Sequence, residues 1–248
     1  MKLKMKNANT YVIGDIHGGL KALIQVLDRA KVTSNDTLIF LGDYVDGWSE
    51  SPQVLDFLID ISKRQSCVFM RGNHEEMLLK WLRDGVDEEI WRFHGGEATV
   101  KAYQKIDKNT ILKHIDFLNN LQEYFVDAHN RLFVHAGFTH LRGVEFEFFR
   151  GMFWWDRTLW ETAMAVEESL DLEDMRYPQR LKLYKEIFIG HTPVTRFGQT
   201  TPMNSINVWN VDTGAAFKGS LTLMDIESKR FWQSDDLPTL YPNEKGRN

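Results

Sequence analysis

Five times along this chain a short apolar, β-branched run stops and a fixed polar motif begins. TYVI leads into GDIHG at 14–18, TLIFL into GDYVDG at 42–47, CVFM into RGNHE at 71–75, RLFV into HAG at 135–137, and EIFI into GHT at 190–192. Runs of this kind read as buried strands. Behind the first, Leu20, Leu23, Ile24, Leu27 and Ala30 recur at helical spacing; behind the second, Val54, Phe57, Leu58 and Ile61 do the same. Strands alternating with helices imply parallel pairing through crossovers, and ligands then collect beyond the carboxyl ends of the strands. Asp15, His17, Asp43, Asn73, His135 and His191 can therefore gather along one sheet edge.

Imidazole and carboxylate ligands together favour cations of the Mn, Fe or Zn kind over Ca, which takes an all-oxygen shell. Asp43 is the natural bridge between two such ions. Asp15 and His17, two residues apart, would point the same way in an extended segment and hold one ion, leaving Asn73, His135 and His191 for the other. Two carboxylates against two divalent ions leave a site of roughly +2, which attracts phosphate. A water bridging both ions and made acidic by them is the expected nucleophile.

With GDIHG, GDYVDG and RGNHE in this order, followed by HAG and GHT, the chain resembles the calcineurin-like metallophosphoesterases. Within them it is similar to the protein serine/threonine phosphatases of bacterial and phage type. The resemblance covers about the first three quarters of the chain, as ordered motifs. It implies an α/β fold, a metallophosphoesterase sandwich of two mixed β-sheets flanked by helices (α/β/β/α). It implies two divalent metal ions, manganese first and Fe or Zn as alternatives, with Asp15, His17 and Asp43 on one and Asp43, Asn73, His135 and His191 on the other. His74 is implied as general acid, with Asp46 orienting it. The implied activity is phosphomonoester hydrolysis, serine/threonine protein phosphatase-like, by a hydroxide bridging two metals. The alternative is a symmetrical dinucleoside polyphosphate hydrolase of the diadenosine tetraphosphatase kind, and a third reading is a non-catalytic phosphate-binding scaffold.

The phosphatases continue the second motif with Arg-Gly, and that Arg helps clamp phosphate; here Gly47 and Trp48 stand there, so one bidentate fork is missing. Arg157, after Trp154 and Trp155, resembles the second phosphate-binding Arg, with an ion pair to Asp156 or stacking on a Trp as the plainer reading. Arg71 is a secondary phosphate-binding candidate, for which an ion pair below the site serves equally well.

At 248 residues, one domain over 1–236 is expected, with a helical insert at about 75–121 formed by segments 77–84, 98–105 and 111–121. The polar, Pro-bearing tail 237–248 is expected to fray. A net charge of −5 with no basic stripe argues against a nucleic-acid partner. No apolar signal core follows the basic start and no run approaches membrane-spanning length, so a cytoplasmic enzyme acting on a phosphoprotein or small phosphorylated substrate, away from membranes, is expected. Its oligomeric state is left open.

Cys67 reads as core, and His94, His114, His129 and His140 as packing or surface residues. Gly95 and Gly96 read as a tightly approached helix start. The aromatics Phe146, Phe148, Phe149, Phe153, Trp154, Trp155 and Trp160 read first as core, with a substrate grip as the alternative. The acidic run of Glu161, Glu167, Glu168, Asp171, Glu173 and Asp174 reads as a solvated face, or else as a selector for basic peptides. Residues 206–211 alternate as a strand, with 221–224 as hairpin partner. Asp212 between them reads either as the acceptor for a ligating imidazole or as a turn cap.

Overall fold

The computed structural model describes residues 8–167 and 169–247. Three of the apolar runs form β1 (Thr10–Ile13), β2 (Thr37–Phe40) and β3 (Ser66–Phe69). They pair in parallel, Tyr11 opposite Leu38 and Leu38 opposite Cys67, joined by the helices α1 (Leu20–Ala30) and α2 (Ser51–Ser62). A third helix, α3 (Asn73–Asp84), starts at the motif after β3. Further along lie β4 (Tyr124–Val126), β5 (Arg131–Val134), β6 (Glu186–Ile189), β7 (Met203–Ser205) and β8 (Val208–Asn210), then β9 (Thr222–Asp225) and β10 (Phe231–Gln233). The sheets run β10-β9-β1-β2-β3 and β4-β5-β6-β8-β7, each mixing parallel and antiparallel pairs.

Period-two alternation assigns the faces. On β1, Tyr11 and Ile13 pack with Leu23 and Leu55 of the helices, while Val12 joins Ile39, Phe133, Phe188 and Met224 between the sheets. Phe133 and Phe188, one from β5 and one from β6, stack with centroids 4.9 Å apart and planes at 8°. On the far side Val134, Ile187 and Ile189 meet Leu159 and Trp160 of helix Thr158–Ala165. Each fully buried side chain of this size contributes about 1.5–3 kcal/mol, which fixes both faces of both sheets. The layering is therefore α/β/β/α, as the resemblance implies.

Two expectations differ from the structure. Residues 221–224 are not the hairpin partner of 206–211: β8 pairs with β7 and β6, whereas β9 lies in the other sheet, antiparallel to β1 with Met224 opposite Val12. Both segments send residues into the same inter-sheet core, Val211 from one and Met224 from the other, so their apolar pattern does not separate the sheets. Over 237–247, the described part of the tail, the chain is also not frayed. Leu237 and Tyr241, one helical turn apart, are buried, and Tyr241 stacks on Trp48 with centroids 5.2 Å apart.

Cys67 is half-buried on β3, and burial pushes its thiol up to about 11. The reactive thiolate is scarce at pH 8, so alkylation of the native protein should run roughly 100-fold slower than that of a free thiol and accelerate on unfolding. Equal rates in the two states, followed with a fluorogenic maleimide, would remove the burial argument.

Candidate metal centre and catalytic cleft

Every expected ligand sits just beyond a strand: Asp15 and His17 after β1, Asp43 after β2, Asn73 after β3, His135 after β5 and His191 after β6. All are buried. Two groups, His17 with Asp43 and His74, and Asp43 with His135 and His191, each place one ligand atom per residue within 4.8 Å of the others. Asp43 belongs to both. Its Oδ2 lies 3.5 Å from His17 Nε2 and 3.4 Å from His135 Nε2, while Asn73 Oδ1 lies 3.3 Å from His135 Nε2 and 3.0 Å from His191 Nδ1. Asp15 Oδ2 is 3.9 Å from His17 Nε2, and the same carboxylate accepts from the His191 backbone N–H at 3.1 Å.

Asp15 and His17 do not meet through an extended segment. His17 has φ +52°, and Asp43, Asp46 and His191 share the left-handed region at +52°, +71° and +66°. Such backbone is costly for residues with a Cβ and persists where the surroundings hold it, which is common at functional sites. Here the loops turn sharply straight after their strands, and that turn aims the side chains inward.

Hydrogen bonds fix the rings. A carbonyl only accepts, so His135 Nδ1 donates to Leu41 O at 2.8 Å and His17 Nδ1 donates to Val45 O at 3.1 Å. In the neutral form that ligates a cation, each ring would turn the lone pair of Nε2 toward Asp43. These backbone carbonyls, not Asp212, are the acceptors behind the imidazoles. Asp212 caps the turn by accepting from the Gly214 N–H at 2.9 Å.

The donor set fits a cation. The lone pairs of His135 Nε2, Asn73 Oδ1 and Asp43 Oδ2 converge, and His191 Nε2 is buried with no hydrogen-bond partner among the described residues. Burial, then the Asp212 and Asp43 charges, raises Asp15 well above the usual carboxylate range; burial and Asp43 push Glu75 up to about 8, and burial pushes Asp212 up to about 6. Burial would raise Asp43 too, but His135, His74 and His17 together hold it well below its ordinary value. Crowded buried carboxyls of this kind are relieved by a divalent ion.

His74 and Asp46 form a buried pair, Nδ1 donating to Oδ2 at 2.7 Å, while His74 Nε2 faces Asp43 Oδ2 at 4.0 Å. Sequence reasoning missed what holds them. Trp91 Nε1 donates to the same Asp46 oxygen at 2.7 Å, and the Asp46 N–H reaches Ser51 Oγ at 3.0 Å and Thr99 Oγ1 at 3.1 Å. Trp91 and Thr99 come from the helical insert, across a break in helical geometry at His94 and Gly95, so the Gly-Gly stretch shapes the wall that carries them.

Glu75 was the other omission. Its carboxylate accepts from the N–H groups of Asp43 at 2.8 Å, Tyr44 at 2.7 Å, Val45 at 3.3 Å and Gly72 at 3.0 Å, tying the second motif to the third. Glu75→Gln presents an amide donor to some of these donors. It should lower unfolding free energy by about 2–4 kcal/mol in urea and weaken metal binding about 10- to 100-fold. Wild-type values for both would show that Glu75 does not set this loop.

Asp43, Asn73, His74 and His191 line a cleft of about 610 Å³ that also carries Arg157, Arg196 and Arg247 with Phe93, Trp155 and Phe217. Asp156 is engaged by Thr158 N at 2.9 Å and Leu159 N at 3.1 Å, so Arg157 faces the cleft instead of pairing with its neighbour. Arg71 does not line it: its guanidinium donates to Glu76 at 3.0 Å and to the Leu118 carbonyl at 3.2 Å, which is the ion-pair reading. The aromatic run divides, with Phe153, Trp154 and Trp160 buried, Phe146, Phe148 and Phe149 exposed, and Trp155 beside His191. Of the histidines read as bland, His94 lines the cleft, and His114 is buried between Tyr103 and Asp56. Glu168 lies outside the described residues, and the rest of the acidic run does not line the cleft.

Comparison with known proteins agrees with this geometry. The chain is 23% identical to the bis(5'-nucleosyl)-tetraphosphatase PrpE (asymmetrical) of Oceanobacillus iheyensis, covering 89% of each. It is 24% identical to serine/threonine-protein phosphatase 1 of Salmonella typhimurium, covering 91% of this chain and 96% of that one. A solved structure described as a putative diadenosine tetraphosphatase shares the fold, with a TM-score of 0.62 at 19% identity over 93% of this chain and 95% of that one. Residues 8–217, the stretch that carries all the converging ligands, match the calcineurin-like phosphoesterases, and the chain belongs to that family.

Proposed function

We propose that the chain is a phosphomonoesterase of the serine/threonine protein phosphatase kind, working with two divalent cations, manganese foremost. The observation that carries this is the buried His74–Asp46 pair, whose outward nitrogen faces the ligand cluster. Divalent cations held by Asp15, His17, Asp43, Asn73, His135 and His191 would supply Lewis acidity and neutralise phosphate charge. Asp46 holds the proton on His74 Nδ1, so a proton on Nε2 is aimed at the leaving oxygen of an ester seated above Asp43. Arg157, in the lining of the same cleft, meets the phosphoryl oxygens, and Trp155 stands edge-on to the His191 ring. A binding scaffold would have no use for the acid pair.

The third cleft guanidinium, Arg196, and the aromatic walls favour a second reading, a dinucleoside polyphosphate with an extended anionic chain and two bases to stack. The Oceanobacillus relative and the solved tetraphosphatase are named for that activity, whereas the Salmonella relative is named for the first. A manganese-supplemented panel decides: phosphate release from a phosphoserine peptide or p-nitrophenyl phosphate supports the first reading, and nucleotide release from diadenosine tetraphosphate alone would replace it with the second.

A further inference from the structure

Gly47 interrupts the second motif where an Arg is usual, yet the space over it is filled. A Cβ built on Gly47 would lie 3.3 Å from Cγ of Arg247, and one built on Gly95 would lie 2.9 Å from the same atom. Both glycines have positive φ, +100° and +107°, and Gly47 N–H donates to Gly95 O at 3.1 Å. Side chains at these two positions would be strained and would displace the arginine. Together the glycines make a floor for its aliphatic stem.

The tail that delivers Arg247 is pinned along its length. The Tyr241 hydroxyl donates to Glu50 and accepts from Lys21 N–H at 3.0 Å. Glu244 accepts from Ser49 N at 2.9 Å and from Ser49 Oγ at 2.7 Å, and the Arg247 N–H donates to Ala216 O at 2.9 Å. The side chain then enters the cleft lined by Asp43, Asn73, His74 and Arg157, with its guanidinium over Phe217 at 5.2 Å. Its Nε is buried without a hydrogen-bond partner among the described residues. Arg157, Arg196 and Arg247 line this one cleft, and burial, then the charges of Arg196 and Arg247, lowers Arg157. Buried donors and like charges gathered in one cleft call for an anion.

We infer that Arg247 is a phosphate-contacting residue, brought across Gly47 by the carboxyl-terminal tail to grip the phosphoryl group opposite Arg157. This rests on the reading of the cleft as a phosphoester site, and it removes the apparent gap in the second motif. The lost fork is supplied from 200 positions further along the chain (247 − 47).

The test is calorimetric binding of inorganic phosphate to the manganese-loaded full chain. Arg247→Ala should bind phosphate about 10- to 100-fold more weakly, with the metal content and unfolding midpoint of the wild type. Arg247→Lys should recover part of the loss, because it restores the charge without the fork. Glu244→Ala, which releases the tail from Ser49, should weaken binding in the same direction by a smaller factor. Unchanged phosphate affinity in Arg247→Ala, or a wild type that binds no phosphate, overturns the inference. If affinity is unchanged while the wild type still hydrolyses an aryl phosphate, the proposed function stands without it. If the wild type hydrolyses no phosphate ester but loses phosphate binding on Arg247→Ala, the anion site stands and the proposed function falls.

Discussion

Asp43→Asn should cost both metal occupancy and turnover, with kcat falling by at least about 10³-fold, because it removes the one carboxylate the two ligand groups share. Asparagine keeps the shape, so the loss isolates charge. In the native site Oδ1 accepts from the His74 N–H at 3.1 Å while Oδ2 faces the imidazoles of His17 and His135. An asparagine that keeps its oxygen on the His74 N–H turns an NH₂ toward the metal position. One that flips sets two donors against each other at the start of α3. Neither orientation supplies a bridging anion. Metal analysis of the dialysed protein beside a turnover assay checks this, and a variant that remains active with the metal stripped away would overturn the shared-ligand reading.

The convergence of the expected ligands was legible because each is written locally: a β-branched run forms a strand, the motif follows at once, and parallel pairing puts the strand ends together. What was not legible depends on contacts between distant segments or on backbone that sequence pattern does not encode. Nothing near Asp46 announces that Trp91, 45 residues away, shares its carboxylate with His74, or that Thr99 receives its N–H. The left-handed turns at His17, Asp43, Asp46 and His191 carry no glycine signature, since each is a residue with a Cβ held there by its loop. Arg71 matched a motif, but Glu76 on α3 and the Leu118 carbonyl claim its donors. The tail reads as frayed from its prolines and polar residues, whereas buried Leu237 and Tyr241, with Glu244 on Ser49, anchor it. Positions whose local chemistry matched their role were readable; positions that serve a distant partner were not.

His74→Asn is the experiment that assigns the remaining imidazole. Geometry alone admits two roles, because His74 falls in a possible ligand group with His17 and Asp43 while its Nδ1 is bound to Asp46. A ligand matters equally for every substrate. A general acid matters in proportion to how badly the leaving group needs a proton. Phosphoserine departs as an alkoxide and p-nitrophenyl phosphate as a stabilised phenolate, so the acid role predicts a split. Turnover of a phosphoserine peptide should fall about 10²- to 10⁴-fold and that of the aryl phosphate by less than about 10-fold, with metal content unchanged. Asp46→Asn should reproduce the split in weaker form, since the ring remains but the partner that holds its proton on Nδ1 no longer carries charge. A uniform loss with both substrates, accompanied by lost metal, would make His74 a ligand and leave the leaving oxygen to be protonated by another titratable group lining the cleft, such as His94 or Glu88.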